Sequence, residues 1–432
     1  MFKRSFIDFD KPSLEYASLP DKFTAPEMVA PTRTVTLLLE VPFTQNATGS
    51  FKKGAQVQTG QKLCFDEDSP RYAISSVTGS VSGVSAFTGD FGRQYTAVEI
   101  EVDPREEFDS TFEAAADAPT LETLIRYLNA LPGNPAFERF ADTAKPIDTI
   151  VISGCEQDLL VATTRHTIET RMAEIKSGIG ILKKATGIEN ILIAVPNDLI
   201  QGYGHIGAEV VAVGREYPAG MKPFIAYKIL GRVIPAGQSP EDTGIGFIQA
   251  EAVAALGQAF ETRRIPSTKT LTFIGKDGTR KMIAARQGTP CSDILTHCRA
   301  VLNDRDRLII GGPMTGSAVY SENYPVGPET DAIMLQDRYD VPYISDYPCI
   351  NCGECIRICP TRVPVNMLVR FLEAGQYAEA ADLYDLYACI DCGLCSFVCV
   401  AKIPIFQYIK MAKYELGLTM AETAETTEAA NE

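Results

Sequence analysis

Two runs of cysteines with one spacing decide the fold of the C-terminal part of this chain: Cys349-Ile-Asn-Cys352-Gly-Glu-Cys355-Ile-Arg-Ile-Cys359 and, 40 residues further on, Cys389-Ile-Asp-Cys392-Gly-Leu-Cys395-Ser-Phe-Val-Cys399. They hold eight of the twelve cysteines in the chain. In each run, three thiols two residues apart can surround one face of a compact metal cluster from a single loop. Gly353 and Gly393 permit the tight backbone that such a loop needs. The fourth thiol of each run then points away, toward a second cluster.

This spacing is that of bacterial ferredoxins with two [4Fe-4S] clusters, in which the fourth cysteine of one run ligates the other cluster. We therefore expect two crossed ligand sets: Cys349, Cys352, Cys355 and Cys399 for one cluster, and Cys389, Cys392, Cys395 and Cys359 for the other. A structural zinc site uses four ligands and has no need of the third and fourth cysteine of each run. Disulfides are typical of exported chains. We expect the remaining cysteines to be small buried hydrophobes: Cys64, Cys155, Cys291 and Cys298.

The repeat extends beyond the cysteines. Pro364 and Pro404 occupy matching positions, and each opens an amphipathic stretch that is predicted to be a helix, over 365–373 and 405–416. Such a pair of loop–helix units is what two mutually ligated clusters require. Val400 stands where the first run has Pro360, so we expect a local change of the backbone that leaves ligation intact.

The composition is that of a globular chain with several domains. The chain has 432 residues, 45% of them hydrophobic and 22% charged, and this length exceeds one compact core. The net charge of −15 argues against nucleic acid as the main partner, because phosphate binding needs a basic surface. No apolar run approaches the ~18 residues of a membrane span, so we expect no transmembrane segment. No apolar stretch follows Lys3 and Arg4, so the start lacks the pattern of a secretory signal.

The changing periodicity of apolar residues predicts a multi-domain α/β plus β protein. The predicted organisation is an N-terminal extension (1–29), a barrel-sandwich hybrid (30–110), a parallel, Rossmann-like α/β domain (111–265), a β-grasp, SLBB-like domain (266–335), an α-helical dicluster ferredoxin domain (340–418) and a disordered acidic tail (419–432). The first of these β domains resembles biotinyl and lipoyl carriers. It has no lysine between Phe65 and Gly92 to carry their cofactor, so we expect a structural role.

The α/β domain is predicted from buried strands that alternate with helices. Parallel sheets of this kind bind ligands at the carboxyl ends of their strands, which here places a site at the loops that begin at Ser153 and Pro196. The predicted elements are strands at 149–152 and 190–195 and helices at 165–185, 224–230 and 250–260. In the β-grasp domain, strands at 269–274 and 280–284 flank a hairpin turn, and a helix is predicted from Ser292 to Leu302.

This order of domains resembles the C subunit of the Rnf complex, the ion-translocating ferredoxin–NAD oxidoreductase. The resemblance covers residues 30 to 418, and its most specific segments are Tyr217-Pro-Ala-Gly220, Gly231-Arg-Val-Ile-Pro-Ala-Gly237, Gly311-Gly-Pro-Met-Thr-Gly316 and the second cysteine run through Gln407-Tyr-Ile. The first subunit of the sodium-pumping NADH–quinone reductase is similar but lacks the cysteine runs. The flavin-bearing subunit of respiratory complex I is a more distant relative.

The resemblance implies an electron-transfer subunit of an oxidoreductase and translocase. Such a subunit is peripheral, on the cytoplasmic face of the cell membrane, and exchanges electrons with NADH through bound FMN. It passes single electrons through its clusters to integral-membrane subunits. By the same resemblance Gly154, Glu156 and Lys222 are the candidate FMN and NADH residues, and no residue is assigned a catalytic role.

The flavin loop departs from the family pattern. The family has G-x-G-G-A-x-F-P at the segment that is Leu131–Phe140 here, where only Gly133 and Phe137 match and Pro132 and Pro135 remove backbone donors. We therefore expect a weakened or re-specialised donor site. In the alternative interpretation, Glu156 and Lys222 are ordinary surface charges, the α/β domain is a scaffold, and a protein donor reduces the clusters.

Two other functions remain open from the sequence. The first is a soluble ferredoxin-like carrier or adaptor that serves a cytosolic reductase and has no NADH activity of its own. The second is a structural role, in which the clusters only hold the C-terminal lobe together.

Overall fold

The computed structural model describes residues 13–16, 25–29, 33–44, 51–200, 206–345 and 347–431. Most of the predicted extension 1–29 lies outside these residues. The chain divides into two compact units. The cluster unit consists of residues 1–15, 235–238 and 342–432, and the sheet unit consists of residues 16–234 and 239–341. Among the described residues, none of the helices has the length and apolar character that crossing a bilayer requires.

The sheet unit contains the strands of the protein. In chain order they are β1 Glu27–Met28, β2 Thr34–Leu39, β3 Gln56–Val57, β4 Lys62–Leu63, β5 Ala73–Ile74, β6 Gly79–Thr88, β7 Gln94–Val102, β8 Thr149–Ser153, β9 Ile191–Pro196, β10 Glu209–Val213, β11 Ile245–Gln249, β12 Thr268–Ile274, β13 Arg280–Arg286, β14 Arg307–Ile310, β15 Ser317–Val319 and β16 Ala332–Gln336.

The α-helices are distributed over both units. Those of the sheet unit are α1 Thr111–Ala115, α2 Leu121–Leu128, α3 Thr163–Thr170, α4 Met172–Thr186, α5 Lys222–Leu230, α6 Ala250–Thr262 and α7 Cys291–His297. Those of the cluster unit are α8 Glu354–Ile358, α9 Val365–Glu373, α10 Tyr377–Leu383, α11 Leu394–Val398 and α12 Ile405–Asn431.

A four-stranded parallel sheet in the order β10-β9-β8-β11 confirms the predicted α/β organisation. Its β8 is buried along its whole length. Ile150 and Ile152 face the core that α3, α4 and α6 cover, whereas Val151 faces the core formed with α5. Because α5 connects the parallel strands β10 and β11, its first residues lie at the carboxyl edge of the sheet.

The sequence predicted one helix over 165–185. This was wrong, because two helices occupy the segment and the helical backbone breaks between them at Arg171. α3 ends at Thr170, and Arg171 leaves the helical conformation at φ −118° and ψ 33° before α4 begins. The hydroxyls of Thr167 and Thr170 donate to the carbonyls of Thr163 and His166, 2.9 and 2.7 Å away. Such back-bonding by threonine bends a helix.

Helices α4 and α6 touch backbone to backbone. A Cβ on Gly178 would lie 2.1 Å from the Val253 carbonyl oxygen, and one on Gly257 would lie 2.0 Å from the Glu174 carbonyl oxygen. Both separations are below any real contact. The two glycines therefore fix how closely the helices pack beneath the parallel sheet.

A six-stranded mixed sheet in the order β1-β13-β12-β16-β14-β15 occupies the region predicted as β-grasp. The predicted hairpin is confirmed, since β12 and β13 pair antiparallel around Gly278 at φ +76°. Part of the predicted extension joins this sheet, because β1 pairs parallel with β13. The predicted helix to Leu302 ends instead at His297. Arg299 adopts the left-handed conformation at φ +53°, and the Ala300 N–H caps the helix by donating to the Leu295 carbonyl at 2.9 Å.

A four-stranded antiparallel sheet, β2-β7-β6-β3, and the pair β4–β5 form the first β region. In the cluster unit, α9 begins after Pro364 and α12 after Pro404, as the repeat predicted. The expectation of disorder from residue 419 was wrong, because α12 runs to Asn431. Alanine and glutamate, eight of the 14 residues from 419 to 432, favour the helical backbone. Four threonines favour it less, but the helix already formed from Ile405 only has to propagate.

Candidate functional site

The first crossed cysteine set surrounds one cavity in the cluster unit. Cys349, Cys352 and Cys355 of the first run line it together with Cys399 of the second run. Apolar side chains complete its wall, among them Ile403 and Ile405. Burial, followed by the charges of the other three sulfurs, raises the pKa of the Cys355 thiol to about 12. Iron, when bound, would replace these protons and compensate the negative charge of the thiolates.

The second set is also brought together. Cys395 is buried, which raises its thiol pKa, and the charges of Cys389, Cys392 and Cys359 act in the same direction. Burial likewise raises the pKa of Cys392 to about 11. The neighbours of Cys395 are thus two cysteines of its own run and the fourth cysteine of the other run. Among the described residues, no three His, Cys, Asp or Glu side chains form a ready site for a single metal ion.

The backbone repeats closely between the two runs. Gly353 and Gly393 have φ +76° and +71°, and Cys359 and Cys399 share φ −62° with ψ 119° and 114°. Cys399, which precedes Val400, therefore keeps the backbone angles of Cys359, and the backbone change expected at Val400 itself stays a prediction. Two residues after Pro360 and Val400, Arg362 and Lys402 also adopt matching left-handed conformations, with φ +59° and +58°.

The four scattered cysteines lie apart from these sets. Cys64, Cys155 and Cys291 are buried and Cys298 is half-buried. Burial raises the thiol pKa of Cys291 to about 12 and that of Cys298 to about 11, so both stay protonated at neutral pH. They behave as the small hydrophobes that the sequence predicted.

In the sheet unit, the loop after β8 is held by close packing. The Gly154 N–H donates to the Ala194 carbonyl at 2.8 Å, and a Cβ on Gly154 would lie 2.6 Å from that same oxygen. Gly154 therefore lets β8 and β9 stay close at their carboxyl ends. Ser153 precedes it and is 3% exposed, and its Oγ has no hydrogen-bond partner among the described residues.

Glu156 and Asp158 are buried, which rules out the alternative that Glu156 is an ordinary surface charge. Glu156 is 7% exposed and accepts a hydrogen bond from the Arg165 N–H at 2.8 Å. Burial raises its pKa to about 7. Asp158 accepts from the N–H groups of Met314 and Thr315, at 3.0 and 2.7 Å, which docks the Gly311–Gly316 segment against this loop.

Lys222 lies at the first position of α5 and faces a second cation. Burial, followed by the positive charge of Arg139, lowers the Lys222 pKa. Within the described residues Lys222 makes no hydrogen bond or ion pair, whereas Arg139 is bound to Glu241 at 2.7 Å. The carboxylates of Glu241 and Glu329 act on the Lys222 pKa in the opposite direction, so the two cations lie near two carboxylates. Arg139 lies within the flavin loop, but no sequence pattern pointed to it, whereas Ser153 was predicted to begin a ligand-binding loop at the end of its strand.

The N–H groups of the flavin loop are largely used inside the protein. That of Gly133 donates to the Pro328 carbonyl at 2.7 Å, that of Asn134 to the Leu131 carbonyl at 2.9 Å, and that of Phe137 to Asn129 Oδ1 at 2.8 Å. A Cβ on Gly133 would lie 2.8 Å from the Ala252 backbone nitrogen. This glycine is needed for packing on the first turn of α6.

These features fit a phosphorylated, partly apolar cofactor at the carboxyl edge of the sheet. The unpaired Lys222 with Arg139 suits an anion, and the buried Ser153 hydroxyl offers a donor. A separate cavity of about 300 Å³ lies between β10 and α5, lined by Tyr217, Pro218, apolar residues of the helix and the charged residues Glu216 and Lys228. The prolines of the flavin loop are consistent with binding through side chains in place of backbone groups.

Comparison with known protein families identifies two domains. Residues 132–258 match the Nuo51 FMN-binding domain, and residues 348–403 match the 4Fe-4S dicluster domain. The match to the first domain begins in the flavin loop and includes Ser153, Arg139 and Lys222. The chain therefore resembles the class of proteins that join an FMN-binding α/β domain to a 4Fe-4S dicluster domain.

Comparison with individual proteins shows which members of this class the chain is similar to. The chain is 28% identical to the C subunit of the "Ion-translocating oxidoreductase complex" of Rhodobacter capsulatus, over 54% of this chain and 47% of that relative, so it matches about half of the relative's length. It is 26% identical to the C subunit of the "Proton-translocating ferredoxin:NAD(+) oxidoreductase complex" of Clostridium ljungdahlii, over 93% of this chain and 90% of that relative. A sodium-translocating counterpart from Acetobacterium woodii is 24% identical over 74% and 77% of the two chains.

The resemblance to the C subunit of the ion-translocating ferredoxin–NAD oxidoreductases is thereby confirmed. It extends along almost the whole chain in the Clostridium relative.

Proposed function

We propose that this protein is the electron-transfer subunit of an ion-translocating oxidoreductase of the Rnf type. It passes electrons between NADH and integral-membrane subunits, through FMN in the sheet unit and two [4Fe-4S] clusters in the cluster unit. The observation that carries the proposal is the crossed arrangement of cysteines, with Cys399 of the second run in the cavity lined by the first run. The names of the relatives support the partners.

The proposed ligand sets are those expected from the spacing: Cys349, Cys352, Cys355 and Cys399, and Cys389, Cys392, Cys395 and Cys359. Cubane clusters, when bound, conduct single electrons, and a flavin can exchange an electron pair on one side and single electrons on the other. The protein contributes apolar walls and a rigid pair of loops. Closely similar backbone angles in the two runs support equal ligation of both clusters.

In the sheet unit, we propose that Lys222 and Arg139 receive the negative charge of FMN or NADH. Ser153 would donate from the carboxyl end of β8. Glu156 sits behind this edge, and its raised pKa makes it a group that changes protonation near neutral pH. Gly154 would act by keeping the strands together and not by contacting the cofactor. No residue is assigned a catalytic role.

The finer domain assignment is also a proposal. We place a barrel-sandwich hybrid at 30–110, the FMN-binding domain at 111–265, a β-grasp (SLBB-like) domain at 266–335 and the dicluster domain at 340–418. The mixed six-stranded sheet with a single short helix supports the third of these. We further propose a peripheral location on the inner face of the cell membrane, where NADH is available.

A soluble carrier fed by a protein donor is the second candidate. The observation that favours it is the flavin loop, in which the N–H groups of Gly133, Asn134 and Phe137 are already bonded inside the protein. On this candidate the clusters are reduced by a partner protein and the sheet unit binds no NADH.

Anaerobic reconstitution of the full chain tests both candidates. We expect about eight irons and eight sulfides per chain, reducible clusters by electron paramagnetic resonance, and bleaching of cluster absorbance by NADH once FMN is added. Cys359→Ser should lower the iron content, whereas the matched variant Cys291→Ser should leave it unchanged. About four irons per chain, or zinc in their place, would refute the crossed clusters. Full iron content without bleaching by NADH would favour the protein donor.

A further inference from the structure

The two halves of the cluster unit share a backbone but not a charge pattern. Asp391, between the first two cysteines of the second run, corresponds to Asn351 in the first run. Lys413, in the helix that follows the second run, corresponds to Glu373. The second half therefore carries an acid and a base at positions where the first half has an amide and an acid. Both differences fall beside one cluster-binding loop.

Lys413 closes this loop through three hydrogen bonds. Its Nζ, on α12, donates to the Cys389 carbonyl at 2.7 Å and to both carboxylate oxygens of Asp391 at 2.9 Å. Asp391 adopts φ +58°, and its Oδ1 lies 3.7 Å from the Cys389 sulfur. An ammonium group thus holds the carboxylate next to a proposed cluster ligand.

The first half achieves the same loop shape without this charge. Asn366 donates to Asn351 Oδ1 at 2.7 Å, and Asn351 has the matching φ of +57°. The ion pair of that half, Glu354 with Arg357, lies within α8 instead. Because the first loop takes the same shape around an amide pair, this shape does not require a positive charge. Its distinct contribution is electrostatic.

The charge matters once the cysteine is a ligand. Cys389 is then a thiolate, so the Asp391 carboxylate faces a negative sulfur at short range, and a one-electron reduction adds a further negative charge to the cluster. The reduction potentials of cubane clusters depend on such nearby charges and on hydrogen bonds around the sulfurs. Lys413 offsets the carboxylate and withdraws charge through the Cys389 carbonyl.

We propose that Lys413 is a positioning residue for the cluster held by Cys389, Cys392, Cys395 and Cys359. It neutralises Asp391 and keeps the reduction potential of this cluster above the value that an uncompensated carboxylate would impose, so that the two clusters are tuned separately. This inference rests on the proposed ligand sets. It adds a residue outside the cysteine runs that sets which cluster accepts an electron first.

Potentiometric titration of the reconstituted full chain, followed by electron paramagnetic resonance, tests the proposal. Lys413→Met should lower the reduced-to-oxidised ratio of one cluster about tenfold at a fixed applied potential, which is a shift of about 59 mV for a one-electron couple. Asp391→Asn should shift the same cluster in the opposite direction. The double variant should return near the wild-type value, because neither charge remains. Lys413→Arg should titrate like the wild type.

The control is Lys410→Met, which removes a positive charge from the same helix. The Lys410 ammonium lies 5.4 Å from the centre of the Phe406 ring, and this variant should leave both potentials unchanged. Equal shifts of both clusters, or no shift in Lys413→Met, would overturn the inference while leaving the clusters themselves in place. If Lys413→Met binds less iron, the sign of the Asp391→Asn shift decides. Absence of any reducible cluster in the wild type would instead refute the proposed function.

Discussion

Replacing Lys269 by methionine should destabilise the sheet unit strongly. Lys269 lies on β12 and is wholly buried. Its ammonium is paired with Glu251, at the start of α6, and with Asp331, 2.7 Å away just before β16. The second oxygen of Glu251 accepts from the Thr270 N–H at 3.1 Å. One lysine therefore joins the helix beneath the parallel sheet to two strands of the mixed sheet.

The size of the expected loss in the free energy of unfolding follows from the carboxylates that remain buried after the substitution. Glu251 is 3% exposed and would be left without a cation, and Asp331 would repel it. Removing one partner of a buried ion pair costs about 3–5 kcal/mol, because the remaining charge is buried without compensation. We expect a loss of this size at pH 8 in the Lys269→Met variant.

The loss should shrink as the pH falls. Burial already raises the pKa of Glu251, and removal of the ammonium raises it further. A carboxyl group whose pKa is higher in the folded protein than in the unfolded chain binds its proton more tightly when folded. Lowering the pH from 8 toward 5 therefore favours the folded variant relative to the wild type.

Urea unfolding at pH 8 and pH 5 measures both effects. Lys183→Met is the matched control, since Lys183 pairs with Glu189 at the surface, where an ion pair contributes about 0–1 kcal/mol. Adding Glu251→Gln to Lys269→Met should recover part of the stability. A loss below about 1 kcal/mol at pH 8, or one that is equal at both pH values, would show that the buried carboxylates do not remain charged.

Three further outcomes are expected. Gly178→Ala should cost about 1–3 kcal/mol in urea unfolding, because its Cβ would meet a carbonyl of α6, whereas Gly180→Ala, with open space around it, should stabilise the protein by about 0.5–1 kcal/mol. The stability that protonated Glu156 contributes is complete below the ordinary pKa of a glutamate and is lost as the pH rises through about 7. Between pH 5 and 8 the melting temperature of the Glu156→Gln variant should therefore fall less than that of the wild type. Lys222→Met should weaken FMN binding about tenfold in flavin-fluorescence titrations and leave riboflavin binding unchanged, with Lys183→Met as control; equal losses for both flavins would contradict a phosphate contact.

The elements that the sequence predicted correctly have causes that are local in the chain. Ligation of a cubane fixes the spacing of the cysteines, and proline at the first turn fixes where α9 and α12 begin. Buried parallel strands require uninterrupted apolar runs, which made β8 and β9 visible. The end of α7 was missed because an arginine, and not a glycine, takes the left-handed conformation there.

Parts of the site could not be predicted because they form only in the folded chain. Arg139 and Lys222 are 83 residues apart in sequence and meet because α5 and the flavin loop both reach the carboxyl edge of the sheet. Ser153 was recognised as a strand end, but its unpaired hydroxyl depends on what packs around it. The contacts of Asp158 depend on the loop of Gly311–Gly316, whose Met314 and Thr315 N–H groups arrive from the other sheet.

The flavin loop and the helix α5 together suggest that side-chain cations take over cofactor binding from backbone N–H groups in this chain. Two N–H groups of the loop donate to other parts of the protein and a third donates within the loop, so these three are not available to a ligand. The Arg139 guanidinium is bonded to Glu241, whereas Lys222 makes no hydrogen bond or ion pair within the described residues, so its ammonium can bind a ligand. Backbone donors are fixed dipoles that salt screens little, whereas side-chain cations act through net charge, which salt screens strongly when they are near solvent. A cofactor held in this way depends on ionic strength more than one held by a glycine-rich loop.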